Sequence, residues 1–246
     1  MVPSKYVWAL SPYNSFAFLS SSIQGSANSG CCFNIVIIAF FPFKKHSVHI
    51  LGYDVDVSHP YLLQFCSDQR DKRSLRNRKI LEKLTRLGFF IDYQEIQALE
   101  TFQRTIGRPH IAQIMVTKGY VSTVQQAFSL YLADDKCCYV ATDSPSIDEV
   151  IDVIKEAGGK VFLAHPHLYH SMRFVKEILA HPFDGIECFY GRCSKEVEMR
   201  WVRLAKELSL LYSGGSDFHG AVKPHIPLGC SWVDEEVFHK IFTRGK

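Results

Sequence analysis

Three places in the chain put imidazole or carboxylate groups where a metal ion or a phosphate can meet them. His49 lies in Ser-Val-His-Ile-Leu-Gly, and His165 closes Val-Phe-Leu-Ala-His-Pro. Asp217 and His219 sit two apart in Ser-Gly-Gly-Ser-Asp-Phe-His-Gly. In extended backbone, residues two apart share a face, so this carboxylate and imidazole project together. Imidazole mixed with carboxylate is a donor set for Zn²⁺, Mn²⁺ and Fe²⁺, and such ions polarise phosphoryl oxygens and generate hydroxide near neutral pH. A histidine taken singly is more often structural, but three agreeing positions point to a site. His167 and His170 follow His165, and His181 precedes a proline, positions that suit surface or supporting roles. A separate signal is Gly107-Arg-Pro-His-Ile-Ala, where Pro109 suits the first turn of a helix. Arg108 and His110 around it make that helix start either an anion site or an ordinary beginning.

The elements that must position these groups follow from pattern. Ser146-Ile-Asp-Glu149 resembles a capping box, opening a helix that stops at Gly158-Gly159. Residues 160–164 then read as a strand. Helix 172–179, strand 184–189, helix 195–208, strand 210–213 and a last helix near Asp234 follow in the same order. Strands separated by helices imply a parallel sheet or barrel built from right-handed crossovers. Ligands gather at the carboxyl ends of such strands, where His165 and the Asp217/His219 pair fall. Between Ser67 and Thr142 the signals are helical instead, with stretches at 92–100, 110–118 and 123–133 and no strand-like run.

Composition narrows the class. With 246 residues, 47% apolar and 22% charged, the chain is neither disordered nor fibrous. The apolar run 31–43 contains Asn34 and Pro42 and falls short of the roughly 18 residues a membrane span needs, so a buried strand is expected and no membrane. Eight cysteines form two adjacent pairs and four singles without CxxC spacing, which predicts reduced thiols, a cytoplasmic setting and no zinc finger. Residues 66–86 carry eight cations against three acids, a net +5 beside +3 for the whole chain. Leu75, Ile80, Leu84 and Leu87 there give a helix with one apolar seam and a basic remainder, either a solvated face or a set of phosphate contacts. No acid occurs before Asp54 and no histidine before His46. That composition marks 1–45 as an atypical segment, expected of a wrong frame or start, or of an unusual leader.

Five motifs in order, VHILGYDVD, GRPHIA, AGGKVFLAHP, FDGIECFY and GGSDFHG, resemble the PHP (polymerase and histidinol phosphatase) family of metal-dependent phosphoesterases. Its branch of nucleoside 3',5'-bisphosphate phosphatases and 5'-to-3' exoribonucleases is the most similar, over about His46 to Gly229. The resemblance implies an α/β fold, an irregular (β/α)7-type barrel from 46–66 and 143–246, with 67–142 as a helical insert that helps hold substrate. It implies a divalent metal centre, commonly Mn²⁺ and up to three ions, and nucleotide or short RNA as substrate. Carried over by position, His49, His165, Asp217 and His219 are the metal ligands, with His165, Asp217 and His219 at the chemistry, and Arg108 and His110 are the substrate-phosphate contacts. The family also carries Asp-x-His-x-His, Ser-Asp-Gly, Thr-Asp-His and Gly-Ile-Glu motifs ahead of VHILGY, five of its nine usual ligands, and residues 1–45 supply none of them. The departure makes a catalytically impaired, nucleotide- or RNA-binding module the alternative.

Overall fold

The computed structural model describes residues 35–43, 46–99, 106–141, 144–169, 171–217, 225–227 and 229–242, with 35–43 and 46–47 described as backbone. His170 and His219 lie outside the described residues. In chain order the elements are strands β1 (Ile35–Phe43) and β2 (His46–Tyr53), then helices α1 (Pro60–Arg86), α2 (Tyr93–Gln97), α3 (Arg108–Thr117) and α4 (Val124–Ala127). There follow α5 (Ile147–Glu156), β3 (Lys160–Leu163), α6 (Met172–Ile178), β4 (Gly185–Tyr190), α7 (Lys195–Glu207), β5 (Leu211–Gly215) and α8 (Glu235–Phe242). The chain divides into two compact units, Met1–Leu63 with Pro145–Lys246, and Gln64–Ser144.

The first unit is built on a five-stranded sheet in the order β1-β2-β3-β4-β5. β3, β4 and β5 are parallel, as helices between strands require, because a parallel partner is reached only by a crossover. β2, which lies outside that alternating stretch, runs antiparallel to both β1 and β3. Two residues separate β1 from β2, a hairpin's length, so those strands must reverse direction. The predicted capping box is present on α5: Ser146 Oγ accepts from the Glu149 N–H at 3.2 Å, and Glu149 accepts from the Ser146 N–H at 2.6 Å.

Alternation along β2 sends Leu51 and Tyr53 to one side, where they join Phe162 and Ala164 beneath Val237, Phe238 and Ile241 of α8. On the other side Gly52 lies against Val55 and Ile154 of α5. Gly185 opens β4 directly over the Phe162 ring, where a β-carbon would fall 2.1 Å from the nearest ring atom. Burial of these apolar faces fixes the strand ends relative to one another.

Helix α1 begins six residues before the basic run, at Pro60, a residue suited to a helix's first turn, and from Gln64 on it belongs to the second unit. Its buried stripe is Gln69, Arg73, Asn77, Ile80 and Leu84, at helical spacing. Leu75 and Leu87, expected in the seam, are instead exposed, at 55% and 48%. The reason lies in what fills the stripe: Asn77 Nδ2 donates to the Ile106 carbonyl at 3.2 Å, and Arg73, four residues earlier, is buried as well. Burial, and then Arg76, push the Arg73 guanidinium down to about 9. Ile80 and Leu84 join Ile111, Ala112 and Met115 of α3 in the unit's core.

Candidate functional site

His49 and His165 come together because β2 and β3 run in opposite directions. The Ala164 N–H donates to the His49 carbonyl at 3.1 Å, so the early part of β2 lies beside the carboxyl end of β3. His165 follows immediately, and its Nε2 is 2.9 Å from His49 Nδ1, with the rings edge to face at 74°. Two backbone contacts hold the pair. The Glu187 carboxylate of β4 accepts the His165 N–H at 2.8 Å, and the Tyr169 hydroxyl oxygen accepts the His49 N–H at 3.1 Å.

Asp217 lies two residues beyond β5 and is 5% exposed. The Tyr190 hydroxyl, at the end of β4, donates to Asp217 Oδ2 at 2.7 Å. The Tyr190 ring packs on His167, with centroids 4.2 Å apart. His165 has φ 28° and Asp217 φ 51°, left-handed backbone that non-glycine residues seldom adopt and that concentrates at functional sites.

Burial first, and then the neighbouring His49, push the His165 imidazole down to about 3, against the opposing pull of Asp217. Burial likewise pushes His167 down to about 4, again opposed by Asp217. Both rings are therefore neutral near pH 7, the state in which imidazole nitrogen ligates metal. Burial, and then Asp217, hold the Tyr190 hydroxyl well above its ordinary range, so it remains a donor. Nδ1 of His165 and both ring nitrogens of His167 are buried and have no hydrogen-bond partner among the described residues.

Two imidazole nitrogens bound about 2.1 Å from one ion at right angles stand roughly 3 Å apart, so the observed His49–His165 separation suits two adjacent corners of a coordination sphere. Asp217, within electrostatic reach of His165, adds a carboxylate of the kind that completes such a set. Among the described residues no three His, Cys, Asp or Glu side chains are gathered closely enough to hold an ion by themselves. The residues present thus fit part of a divalent site.

Arg108 and His110 belong to the second unit. Arg108 Nη1 donates to the Leu132 carbonyl at 3.0 Å and to Asp134 at 2.6 Å, and its guanidinium lies 5.4 Å from the Tyr139 ring centre. His110 Nδ1 accepts the Gly107 N–H at 3.2 Å, which satisfies a backbone donor where α3 starts. Glu187, Tyr190 and Tyr169 were not among the sequence candidates. The motif FDGIECFY, with an acid inside an otherwise apolar strand, holds the sequence signal for Glu187 and Tyr190.

No protein-family model matches the chain. It is 29% identical over 238 residues to the 5'-3' exoribonuclease Rnm of Escherichia coli, covering 92% of this chain and 76% of that protein. It is 31% identical over 197 residues to the 5'-3' exoribonuclease of Haemophilus influenzae, covering 78% of this chain and 68% of that one. Among solved structures, one described as a metal-dependent phosphoesterase from Bifidobacterium adolescentis superposes with a TM-score of 0.67 at 31% identity, over 87% of this chain and 77% of the other.

Proposed function

Because the chain belongs to the PHP family of metal-dependent phosphoesterases and is a phosphoric ester hydrolase, we propose that it hydrolyses phosphate esters of nucleotides or short RNA, as a 3',5'-bisphosphate nucleotidase or 5'-to-3' exoribonuclease. The observation that carries the reading is the 2.9 Å approach of His49 and His165, residues 116 positions apart, with Asp217 within electrostatic reach of His165. His49, His165 and Asp217 are the metal ligands in this reading, together with His219, and the preferred ion is Mn²⁺. A divalent cation, when bound, supplies Lewis acidity toward phosphoryl oxygens and lowers the pKa of a water molecule.

The protein's own groups have separate tasks. His49 and His165 present neutral nitrogen lone pairs. Glu187 fixes the His165 backbone, and Tyr190 holds the Asp217 carboxylate. Arg108 and His110 are the contacts to the substrate phosphate. The sheet is read as part of an irregular (β/α)7-type barrel, supported by the likeness to the B. adolescentis structure. Purified protein with Mn²⁺ is expected to release inorganic phosphate from adenosine 3',5'-bisphosphate, or mononucleotides from short RNA. Release no greater than that of a His165→Asn, Asp217→Asn double variant overturns the catalytic reading.

One observation favours a second reading. Arg70, Lys72, Arg78, Lys79 and Arg86 all occupy exposed positions of α1, which suits a metal-independent nucleotide- or RNA-binding role. Such binding weakens steeply with added salt, because each neutralised phosphate releases counterions. Among the described residues no helix is long and apolar enough to cross a membrane.

A further inference from the structure

Glu187 and Tyr190 are an odd number of residues apart on β4. In a regular strand that spacing sends two side chains to opposite faces. The pairing with β5 changes register between them: Glu187 lies opposite Ser213, Phe189 opposite Gly214 and Tyr190 opposite Gly215. Cys188 is therefore the extra residue of a β-bulge, and it is fully buried. One inserted residue restores the phase. Glu187 reaches the His165 N–H at 2.8 Å while Tyr190 reaches Asp217 at 2.7 Å, so both turn toward one cluster. Bulges beside active sites re-aim side chains in this way.

The surroundings of Tyr190 admit little alternative placement. Its side chain is 6% exposed, and its ring is backed by His167. The next residue, Gly191, leaves no room for a β-carbon, which would fall 2.3 Å from Cys230 Sγ. Its acceptor, Asp217, is buried and carries left-handed backbone.

We propose that Tyr190 is the positioning residue for Asp217: its hydroxyl, re-aimed by the bulge at Cys188, fixes the rotamer of the carboxylate that receives a divalent cation. This rests on Asp217 being a metal ligand. Partners behind a ligating side chain orient it before the ion arrives, and their loss typically costs 10–100-fold in metal affinity. Tyr190 also joins three strand ends, since it sits at the tip of β4 and touches His167 beyond β3 and Asp217 beyond β5.

The test uses the full chain stripped with chelator and titrated calorimetrically with Mn²⁺ alone. Tyr190→Phe removes the hydroxyl and keeps the ring on His167; it is expected to bind Mn²⁺ about 10–100-fold more weakly than the parent, with the melting temperature of the metal-free protein nearly unchanged. Tyr190→Gln keeps a donor without the ring and is expected to bind more tightly than Tyr190→Leu. Parent-like affinity in Tyr190→Phe, with affinity lost in Asp217→Asn, overturns the positioning role and leaves the metal site standing; so does the reverse order of the Gln and Leu variants. Equal binding by the parent and Asp217→Asn overturns the metal reading, and the role of Tyr190 falls with it.

Discussion

The Glu187 carboxylate accepts the backbone N–H of His165 at 2.8 Å, tying the middle of β4 to the turn that follows β3. An acid in this place does not need to touch substrate to matter. It secures a peptide group at left-handed backbone and so sets where the His165 ring stands beside His49. Glu187→Ala leaves that buried donor unsatisfied, at a cost of about 1–3 kcal/mol. Thermal unfolding is expected to show the loss, with phosphoesterase activity reduced as well. Glu187→Gln, which retains an acceptor oxygen, is expected to keep more of both. Equal melting temperatures for the parent and Glu187→Ala would contradict this role.

The contact between Gly185 and Phe162 leaves no space for a methyl group, because the added carbon would lie 2.1 Å from the ring. Phe162 is fully buried against α8 and has little freedom to move away. Gly185→Ala is expected to destabilise the protein by about 1–3 kcal/mol, the usual range for overpacking. Denaturant titration measures this directly. A neutral result would show that the sheet yields at β4.

Acid should weaken the chelator-treated protein before carboxylates begin to protonate. His165 and His167 stand at about 3 and about 4 in the fold, against about 6.5 for an unperturbed histidine. Below about pH 6.5 the unfolded chain therefore binds protons that the folded chain refuses. Their contribution is fully present above that pH and is lost as pH falls toward the folded values. Urea midpoints in chelator are expected to decline from pH 7 to pH 5, and less so in His165→Asn. A midpoint constant over that interval would be inconsistent with buried neutral rings.

Arg108 and Asp134 separate a structural role from a substrate role. Their side chains are 26% and 78% exposed, so the pair is a surface ion bridge worth at most about 1 kcal/mol. Asp134→Ala is expected to leave the melting temperature close to that of the parent. Arg108→Ala is expected to raise KM for a nucleoside bisphosphate more than it lowers kcat. Unchanged steady-state constants in Arg108→Ala would remove it from the substrate contacts.

Particular residues show what the sequence could disclose. The Ser146–Glu149 capping box was readable because capping is a local bargain between neighbours in the chain. The positions of His165 and Asp217 just beyond strands are legible because strands and helices alternate along that part of the chain. The seam of α1 was misread at Leu75 and Leu87, since counting apolar residues cannot foresee a stripe filled by Gln69, Arg73 and Asn77. Reversal of β2 could have been inferred from the two residues between it and β1. Tyr190 stayed hidden for a different reason: strict alternation points it away from Glu187, and only pairing with β5 reveals the extra residue at Cys188.

The torsions of His165 and Asp217 also bear on how the protein should be altered. At both positions main chain and donor group are bound into one object, so trimming the side chain to alanine also asks the polypeptide to twist in a way alanine resists. A lost function after such trimming would confuse chemistry with geometry. Asparagine tolerates that twist and carries no charge, which makes it the cleaner replacement and the reason the double variant above is built from it.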